Sequence, residues 1–177
     1  MVKKKRPDEL SEARDEKAYL HGWLRGVIDG LKNVDDETAT KLLKKCGEMC
    51  ARSWIKMVGL DRKKYDLDSF IAKLNEIPGP SSWKKEGNTI YEEITGGKCV
   101  CPLVTWGVIE PNSRMCLVCC PSWSKTLFRD ITGLSKMFKL VDSVARGGDK
   151  CIMYHYILPA KARPRKKIKS RSEACKS

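Results

Sequence analysis

Long apolar runs are missing from this chain of 177 residues, and that absence excludes most. No stretch approaches the ~20 apolar residues that a bilayer-spanning helix needs, so the sequence predicts no membrane span. The N-terminal Met1-Val-Lys-Lys-Lys-Arg6 has the charge of a secretory leader. A charged run from Asp8 to Lys17 follows it where an apolar segment would be required, which predicts a cytoplasmic protein. Histidine is scarce: His21 and His155 are the only two, so a cysteine nucleophile would have two imidazoles to choose from as its base. Repeats and low-complexity stretches are absent outside the two ends. Gly147-Gly148 lacks the lysine and serine context of a phosphate loop and reads as a hairpin turn.

Net charge is also missing where a folded nucleic-acid reader would carry it. The chain totals +13, but Lys3 to Arg6 supply four positives and residues 161–177 a net +7, leaving +2 for residues 7–160. The sequence therefore predicts a basic, disordered end over 1–8, one α+β domain over 9–160, and a basic, disordered tail over 161–177. In the tail, Lys161, Arg163, Arg165, Lys166, Lys167, Lys169 and Arg171 form a solvated arm, suited at most to weak, salt-dependent contact with nucleic acid or an anionic surface.

Within the body, three- and four-residue apolar steps predict a helix from Glu9 to about Lys32. A second helix runs from about Glu37 to Val58, with Leu42, Leu43, Cys46, Met49, Cys50, Ile55 and Met57 on its apolar side. A third starts near Asp66 and turns Phe70, Ile71 and Leu74 inward. The connector Ile77-Pro-Gly-Pro-Ser-Ser82 separates these helices from a strand over Asn88–Thr95, which places Glu92 and Glu93 on opposite faces. A second strand is expected over Val100–Ile109, and a third short strand or loop over Met115–Cys119. Pro121 opens a helix from about Ser122 to Ile131, and Met137–Val144 with Cys151–Leu158 form a hairpin. The expected architecture is N-terminal helices packed on a mainly antiparallel sheet with one inserted helix.

What the chain has in abundance is cysteine: nine, seven of them between residues 46 and 120. Cys46 and Cys50 form C-x3-C on one helix face, Cys99 and Cys101 open C-x-C-P, and Cys116, Cys119 and Cys120 form C-x2-C-C-P. A thiol that merely fills a core needs no particular spacing, whereas sulfurs that converge on a soft metal do. In a reducing compartment these groups point to zinc or an iron–sulfur cluster, with thiol catalysis as the alternative. Cys120 precedes the helix-opening Pro121, where the helix dipole would favour its thiolate, and His155 is the base expected near it. Cys151 reads as a core strand residue, and Cys175 falls in the tail. Trp54, Trp83, Trp106 and Trp123 are candidates to line a pocket near the thiols.

The succession of a C-x3-C helix, C-x-C-P, C-x2-C-C-P and a closing Gly-Gly-x-x-Cys strand over residues 35–158 resembles a group of small cysteine-rich prokaryotic proteins. That group is classed with L-2-amino-thiazoline-4-carboxylic acid hydrolase, and the 4-vinyl reductase domain is a more distant likeness. The resemblance implies an α+β fold and a small-molecule ligand or metal held through Cys99, Cys101, Cys116, Cys119 and Cys120, with Cys46 and Cys50 near them. It also implies hydrolysis of a non-peptide C–N bond, although no catalytic base can be matched to this chain. A small-ligand or redox sensor whose tail contacts nucleic acid is the remaining expectation.

Overall fold

The computed structural model describes residues 7–158 apart from Lys63 and Ser113, with side chains from Glu16 onward. The tail residues 161–171, the basic run 3–6 and Cys175 lie outside the described residues. Three helices come first: α1 (Pro7–Gly30), α2 (Asp36–Met57) and α3 (Leu67–Glu76). Asp35 and Asp66 cap α2 and α3, their carboxylates accepting the amides of Thr38 and Ser69 at 2.8 Å each. The expected helices thus form, though α1 begins at Pro7, inside the segment predicted as a disordered end.

A four-stranded antiparallel sheet follows: β1 (Ser81–Glu86), β2 (Thr89–Ile94), β3 (Lys136–Asp142) and β4 (Cys151–Ile157), in the order β1-β2-β4-β3. Between β2 and β3 run a short helix α4 (Pro102–Thr105), a π-helical turn (Met115–Cys119) and helix α5 (Cys120–Thr132). This is an α+β fold. Among the described residues no helix is long and apolar enough to cross a membrane.

Four expectations need correction. Ser81 and Ser82, expected to end the connector, instead open the edge strand β1 together with Trp83–Glu86, for which no element was expected; only Trp83 in it is buried, so it shows little hydrophobic alternation. The strand expected over Val100–Ile109 is instead α4 and its flanking loops, because Pro102 sits at the first helical position and the amides of Val104 and Thr105 bond back to the Cys101 carbonyl. Met115–Cys119 is a π-helical turn continuous with α5 rather than a strand or loop. On α2 the buried side is Ala39, Leu43, Gly47, Ala51 and Ile55, a stripe of mostly small groups at four-residue steps, while Leu42, Cys46, Met49 and Met57 are exposed.

The small stripe on α2 lets that helix lie close against the π-turn and α5. A Cβ added at Gly47 would come within 2.3 Å of the Cys119 carbonyl oxygen. The main core holds Ile55, Phe70, Leu74, Trp83, Ile90, Leu127, Phe128 and Ile131, joining α2, α3 and α5 to one face of the sheet. Along that face the period-2 alternation of β2 and β4 buries Ile90, Glu92 and Ile94 beside Cys151, Met153 and His155. Glu93, on the opposite face as expected, accepts from Tyr91 and Lys150 at 2.8 Å each.

Candidate functional site

A cavity of about 280 Å³ lies between α2, α5, the α3–β1 connector and the inner face of the sheet. Trp54, Trp83, Trp123 and Phe138 form much of its wall. Trp54 and Trp123 meet edge to face at 5.5 Å, so their rings are fixed by each other as well as by the core. Trp106, the fourth tryptophan expected there, lies on the surface instead. Its place after α4 turns it outward.

Cys50, Cys101, Cys119 and Cys120 also line this cavity. They come from three separate segments: α2, the start of α4, and the junction of the π-turn with α5. Electrostatic coupling joins the remaining clustered cysteines to them. Burial pushes the Cys119 thiol up to about 12, and the nearby charges of Cys101, Cys50, Cys46 and Cys116 act in the same direction. Burial likewise raises Cys50, beside Cys101 and Cys46. Cys99 is raised by burial first, and Cys101, Cys116 and Cys151 add to it. Cys101 is raised by burial and by Cys116, while the amides of Leu103 and Val104 pull it back. The three sequence groups therefore share one neighbourhood, with Cys46 at its exposed edge and Cys116 and Cys151 at its buried one.

Cys120 does open α5, as expected, but not at a free helix N-terminus. Helical backbone already begins at Arg114, where Asn112 Oδ1 accepts the Arg114 amide at 2.9 Å, so Cys120 sits beyond the π-turn and away from free amides. Its thiol is raised well above the ordinary value, first because it donates to Cys116 and then by burial. Cys116 receives the benefit. The hydrogen bond from Cys120 lowers it to about 7 despite burial, with the nearby Ser143 hydroxyl acting in the same direction. His155 does not stand ready as a base for Cys120, because both its ring nitrogens are engaged elsewhere. His21 lies half-buried on α1.

His155 belongs to a polar set that sequence reasoning missed. Its ring is fully buried, stacked against Trp83 and Phe128 at 5.4 Å and 5.6 Å. Nε2 meets Glu92 Oε2 at 2.9 Å, and Nδ1 meets Lys136 Nζ and, at 3.3 Å, Ser124 Oγ. Lys136 Nζ also bonds Ser124 Oγ. Burial lowers His155 to about 2 and holds Lys136 well below the usual lysine range, while it pushes Glu92 up to about 8. Glu92 and Ser124 reach the cavity wall. The signal available in the sequence was Glu92 and His155 at inward positions of predicted strands. Nothing there marked Lys136, at a strand edge, or Ser124, on a helix, as their partners.

Zinc or an iron–sulfur cluster would find suitable donor chemistry in these thiols. Their placement is another matter. Among the described residues no group of three or more histidine, cysteine, aspartate or glutamate side chains stands in the arrangement a metal ion needs. The chain matches no known family model and no curated protein sequence.

Proposed function

We propose that this protein binds a small, mainly apolar, thiophilic molecule against a wall of cysteine thiols. One observation carries this reading: Cys50, Cys101, Cys119 and Cys120, from three distant segments, open onto a single aromatic-walled cavity. The raised thiols favour it further, because protonated sulfur is a soft, weakly polar surface that suits an apolar guest until the guest itself displaces a proton. The resemblance to thiazoline hydrolases and 4-vinyl reductase domains is in keeping with a small organic ligand.

A second reading, favoured by the number of thiols that couple to one another, is a soft metal site for zinc or an iron–sulfur cluster. Cys50, Cys101, Cys119 and Cys120 would hold it, since four thiolates complete either kind of site. As they stand these thiols do not form a ready-made chelate, so the organic guest is the better supported occupant.

One titration separates the two. Phenylmercuric acetate, an aromatic thiol ligand, added to the reduced protein should occupy the cavity at one equivalent and quench fluorescence from Trp54, Trp83 and Trp123. The Cys101→Ser/Cys119→Ser variant should weaken that step by at least ~10-fold. Labelling that falls first on the exposed Cys46, with no quenching, would overturn the guest reading. Cobalt(II) in place of the mercurial should give no thiolate-to-metal absorption; an intense band at one equivalent would establish the metal reading instead.

A further inference from the structure

The same cavity has a polar floor that the thiol wall does not use. Ser124, Glu92, Lys136 and His155 are at most 5% exposed, yet Ser124 and Glu92 reach the lining. Four buried polar groups are costly unless each finds a partner, and here each does. Lys136 Nζ contacts both Ser124 Oγ and His155 Nδ1, and His155 Nε2 meets Glu92 Oε2 at 2.9 Å. The Lys136 nitrogen also sits 3.9 Å from the centroid of the Phe128 ring, closed off from water on that side.

We propose that Ser124 is a nucleophile activated by Lys136, making this floor a catalytic site for acyl transfer from small apolar esters or thioesters. The arrangement meets the geometric demands of such a site: a hydroxyl on the cavity, a buried amine in hydrogen-bond contact with it, and a third group that orients the amine. Desolvation holds Lys136 well below the usual lysine range, which favours an amine with a lone pair for the Ser124 proton, and pushes Glu92 up to about 8, which favours its carboxylic acid form.

In the acylation step, Ser124 Oγ bonds to the carbonyl carbon as its proton passes to Lys136 Nζ. Glu92, in its acid form, donates to the carbonyl oxygen as negative charge develops there. The carbon–oxygen or carbon–sulfur bond to the leaving group then breaks, and Lys136 returns the proton to the departing alkoxide or thiolate. Water cleaves the acyl-serine by the same route, giving the acid and free Ser124. His155 is a positioning residue, holding Lys136 through Nδ1 and Glu92 through Nε2. Apolar esters and thioesters fit better than amides, because the aromatic wall has few acceptors for an amide N–H.

This site shares the cavity with the thiol reading but needs none of the thiols. The test is therefore a reagent for activated hydroxyls. Diisopropyl fluorophosphate applied to the full native chain should form one covalent adduct with loss of fluoride, located by peptide mapping on Ser124. Formation should be at least ~100-fold slower in Lys136→Met and absent in Ser124→Ala. An adduct on any other residue, or none after prolonged exposure, would overturn the proposal. Mapping on the native chain decides this even where a variant fails to fold.

Discussion

Cys116 and Cys120 are neighbours on one helix face and differ in what they receive. A thiolate is stabilised by donors, and a thiol by the absence of nearby positive charge. Cys116 accepts from Cys120 and is lowered to about 7, whereas Cys120 supplies that hydrogen and is raised. Among the described cysteines whose thiols are shifted, Cys116 is the one lowered, and its thiolate is expected near neutral pH. In Cys120→Ala that donor is lost, and the Cys116 ionisation should move from about 7 toward the ordinary thiol value of 9.0. Ultraviolet thiolate absorbance followed against pH checks it. A curve identical to that of the native chain would show that Cys120 is not the stabilising donor.

At the scale of elements, the thiol wall depends on how closely α2 approaches the π-turn. The turn bonds the Cys120 amide to the Met115 carbonyl, one residue wider than an α-turn, and the Cys119 carbonyl faces Gly47. No side chain fits between them. Gly47→Ala would force a methyl to 2.3 Å from that oxygen and 3.0 Å from the Ser122 side chain. Better helix propensity would return up to ~1 kcal/mol, and the clash should cost ~1–3 kcal/mol or more. Net destabilisation is expected, with Cys50 displaced from Cys119. Chemical denaturation measures the first effect and the quenching titration the second; a fully stable Gly47→Ala variant would mean that the helices are not held at this distance.

For the whole molecule, the buried polar set governs acid stability. Glu92, pushed up to about 8, keeps a proton that the unfolded chain has lost above about pH 4.5, while burial disfavours the proton on Lys136, so the two act in opposite directions. His155 then decides the sign. Its folded value of about 2 lies below the ordinary 6.5, so between them the unfolded state binds the extra proton. Stability should fall as pH drops below 6.5, by at most ~1.4 kcal/mol per pH unit. His155→Asn should flatten that slope in denaturation curves taken between pH 6.5 and 4.5. An equally steep variant would show that other groups carry the acid sensitivity.

Helices α1, α2, α3 and α5 and the β3–β4 hairpin were legible because their signals are local: Asp35 and Asp66 as caps, Gly133 in a left-handed conformation closing α5, and alternating burial along β4. The crowding of cysteines into three groups was equally plain. Strand β1 was not, since an edge strand that buries only Trp83 carries almost no apolar pattern, and the π-turn has no spacing signature of its own. Cysteine spacing could propose a meeting point, but whether Cys50, Cys101 and Cys119 face one cavity depends on the close contact at Gly47. Ser124, Lys136, His155 and Glu92 lie far apart along the chain and belong to different periodicities. Residue order alone set the caps, turns and amphipathic faces, which depend on neighbours a few positions away. Folding alone decided the cavity, the protonation of its thiols and its polar floor, because burial and proximity between distant segments exist only once helices and sheet have closed on each other.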